Sequence, residues 1–352
     1  MNKHFLSGLL LALLLQAPAF AETIRLNPNA PEKHIVVPGD TLWDISAKFL
    51  QDPWLWPEIW QVNPAIENPH LIYPGDIIYL TYGADGKPIL RLERGSTKSA
   101  QNVVKLSPTA RAKRLDSAIP TLPLDAIQPF LSRPRIITKE EYENAPYIVA
   151  IEDRHLIAGS GDKIFVRELP DSEAVDYHII RLGKPYRLPG ARKNEILGYE
   201  AIEVGSAKLA ARGDPATLIV NSAKRETLEG DRLIPIDDRE IVTSYFPRKP
   251  DSDVDALIID VVDGVSRIGQ FNVVVVNIGQ SDGIEAGHVL DIFKSGATIV
   301  DRMSKQKRKE AVKLPDEKVG TMMIFRPFER VSYALVMSAQ KDIRIHDRVR
   351  TP

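Results

Sequence analysis

The sequence predicts a multidomain, mainly β protein, in which a small βααβ module precedes two related small β-barrel or sandwich units. Three observations predict it. Residues 33–80 alternate as a strand, carry helical apolar spacing twice, and alternate again. From Tyr147 onward, short β-branched and aromatic runs are separated by Gly- and Asp-containing turns. Those runs recur in similar order later in the chain, the mark of an internal duplication. At 352 residues there is room for about two or three domains, and 43% hydrophobic residues supply more than one core.

The chain opens with Lys3 and His4, an apolar run from Leu6 to Leu15, and a small-x-small sequence, Ala19-Phe20-Ala21. The run is too short to span a bilayer, so residues 1–21 read as a secretory signal peptide cleaved after Ala21. A periplasmic, cell-wall-associated protein is expected. No later stretch is long and apolar enough for a transmembrane helix, so a membrane-spanning protein is not expected. There is no cysteine, which excludes disulfides, a lipid-bearing thiol and every thiol nucleophile. A net charge of −1 argues against a general nucleic-acid partner, which would need a basic excess to displace phosphate counterions.

Glu22–Glu32 reads as an extended leader. Lys33–Val37 alternates as a strand, and Pro38-Gly39-Asp40-Thr41 is a turn whose polar end can cap a helix. Leu42, Ile45, Ser46 and Phe49 share one helical face. Asp52-Pro53 breaks that helix, Trp54–Val62 makes a second, and Asn63-Pro64 ends it. A loop follows, then a second Pro-Gly-Asp turn at 74–76 and a return strand, Ile77–Leu80. All four Trp fall here; core packing is the favoured reading for them, sugar platforms the other. Asp40 and Asp76 read as turn and cap residues.

In order and spacing, "HIVVPGDTLWDISAKFL", "WPEIWQVNP" and "NPHLIYPGDIIYL" resemble the LysM family. The departure is an aromatic insertion, Asp52-Pro53-Trp54-Leu55-Trp56. The resemblance implies binding of N-acetylglucosamine chains, as in peptidoglycan or chitin, in a shallow groove. Carried over, one wall is Gly39, Asp40, Thr41 and Leu42, and the other is Pro64, Ile66, Leu71 and Ile72. A neutral acetamidosugar asks for backbone N–H and C=O groups and an apolar floor, with no cofactor and no metal.

Residues 81–146 read as a linker and Pro-rich bridge: two short strands, a flexible segment to about Lys105, then a stretch broken at Pro108, Pro120, Pro123, Pro129 and Pro134. A short helix over Asp125–Leu131 and a capping box at Thr138–Glu141 are expected within it. The first β unit is expected over 147–240 and the second over 252–352. The repeat sets Leu197–Ala201, Ala216–Val220 and Gly230–Leu233 against Val319–Met323, Ser332–Val336 and His346–Val349, and Gly161–Val166 against Gly287–Ile292.

No His-x-His or His-Glu-x-x-His pair, no Gly-x-Ser-x-Gly elbow and no Ser-x-x-Lys set in penicillin-binding order is present, so no enzyme is expected. Gly159–Lys163 reads as a turn, not a phosphate loop. A pair of carboxylates alone can serve a glycosidase. Asp253, Asp255, Asp260 and Asp263 cluster, but around an apolar strand whose ends and exposed face they mark. The basic run Arg302–Lys313 reads as a solvated loop or as a contact for an acidic partner. An exported LysM module followed by "IPTLPLDAIQPFLSRPRIIT", "GDKIFVREL", "LGYEAIEVGSAKL", "GDPATLIVNSAKRETLEGDRLIPI" and "FRPFERVSYALVMSA" resembles the type IV pilus secretin-associated proteins (TsaP). Their C-terminal part is similar to the C-terminal domain of the flagellar protein FlgT. That resemblance implies a periplasmic scaffold that grips peptidoglycan and braces an outer-membrane secretin. A LysM-tethered wall hydrolase and a general envelope spacer are the alternatives.

Overall fold

The computed structural model describes residues 24–60, 71–84, 86–94, 118–131, 136–188, 190, 195–236, 245–262, 267–300 and 311–352. The expected signal peptide, the segment 95–105, Asp263 and the basic residues 302–309 lie outside the described residues. Among the described residues, no helix is long and apolar enough to cross a membrane.

The module begins with β1 (Lys33–Ile35) and α1 (Leu42–Phe49). Before it, the leader packs back on α1 through the Asn27 N–H, which donates to Phe49 C=O at 2.8 Å. Helical spacing predicts one second helix over 54–62. The structure instead has a 3-10 turn, Pro53–Leu55, running into α2 (Trp56–Trp60). Pro53 has no N–H to continue α1, and the tighter turn puts both Trp54 and Leu55 into the core. β2 (Ile77–Tyr82) pairs with β1 on one side and β3 (Pro88–Glu93) on the other. All four Trp are buried, with Trp56 fully so beside Leu42, Ile45, Phe49, Ile72, Ile78 and Leu90. Packing is therefore their role, and each fully buried Leu or Ile contributes about 1.5–3 kcal/mol.

The expected linker and bridge of 81–146 is corrected by the structure. Residues through Glu93 complete the module's sheet. The Pro-rich stretch is not a free bridge either: it holds α3 (Leu124–Leu131), β4 (Ile136–Ile137) and α4 (Lys139–Glu143). Ile119, Leu122, Ile127, Ile136 and Ile137 are buried, and β4 joins the sheet that follows. At the start of α4 the capping box forms, with Thr138 Oγ1 accepting from Glu141 N–H and Glu141 accepting from Thr138 N–H.

The first β unit comprises β5 (Tyr147–Ile151), β6 (Lys163–Arg167), β7 (Asp176–Arg187), β8 (Ile196–Ala211), β9 (Ala216–Ala223) and β10 (Arg232–Pro235). The second comprises β11 (Asp255–Val261), β12 (Val273–Val276), β13 (Val289–Lys294), a side hairpin of β14 (Thr298–Val300) and β15 (Ala311–Lys313), then β16 (Glu317–Pro327), β17 (Ser332–Ala339) and β18 (Arg348–Arg350). In the second unit the strands close as β11-β12-β17-β16-β13-β18. In the first, β4 apart, they run β5-β6-β9-β8-β7-β10, with β10 also paired to β5 and β8 to β9. Taken in chain order, the two paths are the same.

That order corrects one correspondence drawn from the sequence. Gly161–Val166 answers the β12 segment, not Gly287–Ile292. The likeness to Gly287 arises because one turn is reused throughout the molecule. In each copy the third residue has positive φ, the fourth N–H donates back to the first C=O, and the fourth side chain accepts from the first N–H. The copies are Val37–Asp40, Tyr73–Asp76, Gly159–Asp162, Leu228–Asp231, Gly269–Asn272, Glu285–His288 and Arg344–Asp347. Their third residues are Gly39, Gly75, Gly161, Gly230, Phe271, Gly287 and His346. Asn272 and Asp162 are thus the matched acceptors ahead of β12 and β6.

His288 fills the acceptor position with an imidazole. Its Nδ1 accepts the Glu285 N–H at 3.2 Å, while Nε2 is buried without a partner among the described residues. Desolvation, then the Arg248 charge, holds its pKa below the ordinary 6.5. The unfolded chain takes up this proton before the folded one does. Stability from this group is therefore full above pH 6.5 and is lost as pH falls below it toward the folded value. His288→Asn keeps an acceptor, as Asn272 does in its own turn. It is expected to flatten the Tm–pH curve between about pH 7 and pH 5; an unchanged slope would place the titration elsewhere.

Candidate functional site

The expected groove residues lie where the first turn meets α1 and where the second turn approaches β2. Gly39 takes φ +95°, with open space where a Cβ would stand, so its need is conformational, not steric. Asp40 is engaged: its Oδ2 accepts from Val37 N–H at 3.0 Å and lies 2.8 Å from His34 Nε2, and Lys48 stands 3.9 Å from its Oδ1. Thr41 is the N-cap of α1; its Oγ1 accepts from Asp44 N–H at 3.1 Å and donates to Asp44 Oδ2 at 2.8 Å.

The opposite wall is held in the same manner. Asp76 Oδ2 accepts from Tyr73 N–H at 3.0 Å and from Arg94 Nη1 at 2.9 Å. Arg94 also donates to Leu71 C=O at 2.6 Å and lies over the Tyr73 ring. The two turns are locked to one another through Val36, whose N–H donates to Asp76 C=O and whose C=O accepts from Gly75 N–H. Pro64 and Ile66 lie outside the described residues.

Gly39 and Leu71 stay exposed, whereas Thr41 is 3% exposed and both Leu42 and Ile72 are 0% exposed. The reason is a segment the sequence did not bring to this place. Residues 119–121 cross between the walls. Ile119 N–H donates to Ile72 C=O at 2.8 Å. Leu42 N–H donates to Pro120 C=O at 3.0 Å, and Trp43 N–H to Thr121 C=O at 3.3 Å. Ile119, Thr121 and Leu122 are buried there. The only sequence signal for this was the set of apolar residues spaced among the prolines.

Two of the clustered acids are held in ion pairs. Asp255 pairs with Arg348 at 2.8 Å, and Asp260 pairs with Lys184. Asp291, buried in the second barrel wall, accepts from Thr321 Oγ1 at 3.0 Å and pairs with Lys318 at 2.6 Å; burial raises its pKa against both partners. Among the described residues, no group of three or more His, Cys, Asp or Glu could hold a metal ion.

A LysM-domain family model matches residues 34–81. Over 39 residues the chain is 46% identical to "Uncharacterized protein YqbP" of Bacillus subtilis (strain 168), a stretch that covers 11% of this chain and 18% of that protein. The segment with the paired turns is thus a LysM domain, followed by a mainly β remainder. LysM is a binding domain and not a catalytic one. It suggests peptidoglycan binding and typically occurs in cell-wall-associated extracytoplasmic proteins.

Asp76→Ala leaves the half-buried Tyr73 N–H without its acceptor and is expected to destabilise the LysM domain by about 1 kcal/mol or more. The shift of the urea unfolding midpoint measures it. Asp40 is less buried, and Asp40→Ala is expected to cost less.

Proposed function

We propose that the protein is a non-enzymatic periplasmic scaffold, exported by its first 21 residues, that holds an envelope assembly to the cell wall. Its LysM domain binds N-acetylglucosamine-containing glycan of peptidoglycan between Gly39, Asp40, Thr41 and Leu42 on one wall and Pro64, Ile66, Leu71 and Ile72 on the other. The observation that carries this reading is the LysM match at 34–81, with both Gly-Asp turns formed and facing each other. Backbone amides at the start of α1 suit an acetamido carbonyl, and Leu42 and Ile72 suit its methyl group. A shallow groove of this kind gives modest affinity per site, which a polymer of repeating sugars offsets by multiple contacts.

The two β units are the proposed partner-binding part, and an outer-membrane secretin of a type IV pilus is the proposed partner. This rests on the sequence resemblance across the Pro-rich stretch and the repeated strands. A surface suited to such a contact is the β14–β15 hairpin, where Ile299, Val300 and Val312 are exposed.

Mature protein is expected to sediment with purified sacculi and to release no muropeptides. Muropeptide release would replace the anchor by a wall hydrolase. Displacement of secretin rings in cells lacking the protein supports the secretin assignment; unchanged rings would favour a general envelope spacer.

A further inference from the structure

The LysM groove is not empty. We infer that residues 119–122, Ile-Pro-Thr-Leu, act as a resident strap in the glycan site, so that glycan binds only when the strap leaves. The inference rests on the glycan-binding reading of the groove and adds its regulation.

The strap has the chemistry of a ligand. It uses the same backbone groups that an acetamidosugar would use. The first amides of α1, Leu42 and Trp43, donate to its carbonyls, and Ile72 C=O accepts its Ile119 N–H. Pro120 brings a carbonyl and no N–H, so the crossing leaves no donor of its own to satisfy at that residue. Ile119 and Leu122 fill apolar space, at 4% and 0% exposure, against the floor formed with Leu42 and Ile72. A sugar and this strap cannot hold the same amides at once.

The strap is also anchored at one end. It runs directly into α3, whose Phe130 carbonyl accepts from Arg326 Nη1 at 2.6 Å and whose Phe130 ring meets Tyr333 edge-on. Both partners belong to the second barrel. An event that moves α3 on that barrel would therefore reach the groove along the chain that joins Leu122 to Phe130, and glycan binding would reach the barrel by the same route. For a site whose competent state is partly populated, apparent affinity falls by the populated fraction.

The test uses full-length mature protein and an N-acetylglucosamine tetramer. Replacing residues 119–122 by Gly-Ser-Gly-Ser is expected to tighten binding at least roughly tenfold by calorimetry. In the unaltered chain, saturating tetramer is expected to speed hydrogen exchange at the Ile119 amide, which leaves its Ile72 carbonyl partner, while the Ile45 amide stays protected. If the replacement variant does not fold, the exchange measurement decides alone. Equal affinity in wild type and strap variant, or unchanged Ile119 exchange in the tetramer-saturated wild type, overturns the strap and leaves glycan binding standing. No tetramer binding by any folded form overturns both.

Discussion

The first amides of α1 have no partners inside the helix, and the way they are satisfied fixes much of the rest. The chain between the LysM domain and the β units takes the first two, those of Leu42 and Trp43, through the Pro120 and Thr121 carbonyls, and Thr41 takes the third, that of Asp44. A buried amide left without an acceptor costs about 1–3 kcal/mol, so the strap and the helix start hold one another in place. From Leu124 the strap becomes α3, and α3 rests on Arg326 and Tyr333 of the second barrel. Trp56 meets Phe246 in the lead-in to that barrel, at a centroid distance of 6.1 Å. The LysM domain is thus docked on the second barrel, where a flexible tether would have left it independent.

The second organising device is the Gly-Asp turn. It was legible wherever both residues are present, since Gly relieves the positive φ and Asp closes on the backbone. That made 38–40 and 74–76 plain, and Gly161-Asp162 and Gly230-Asp231 as well. It was hidden where Phe271 and His346 carry the positive φ and where Asn272 or His288 supplies the acceptor. Three of the paired segments therefore fall on strands at equivalent places in the two paths, and the fourth pair does not. β7 escaped notice for a related reason. Gly183 and Pro185 look like breakers, yet the strand passes through them with a register shift. A Cβ on Gly183 would meet Glu200 at 3.0 Å, so the residue serves close strand approach.

Of the proposed groove, Gly39, Asp40, Thr41, Leu42, Leu71 and Ile72 come from the LysM resemblance; what the residues themselves record is the two Pro-Gly-Asp turns and the Thr41 cap, because local turn and cap chemistry leaves a local signature. What occupies the groove was not found. Ile119 and Leu122 stand among prolines with neither a 3.6- nor a 2-residue period. Their burial depends on contacts more than forty residues away in sequence, which no local pattern records. The same segment reads as a bridge because its prolines break both periods. Here proline sets an extended chain that crosses a groove and leaves its carbonyls free to accept.

Native-state hydrogen exchange of the full mature chain tests the docking most directly. The account predicts that the Leu42, Trp43 and Ile119 amides are protected, that the three lose protection together, and that they do so by an opening smaller than the one that exposes Val274 and Val336 in the barrel core. Rapid exchange at Leu42, Trp43 and Ile119 while Ile45 and Phe49 stay protected would contradict it, for the helix would then be folded with its first turn open to water and no strap across the groove.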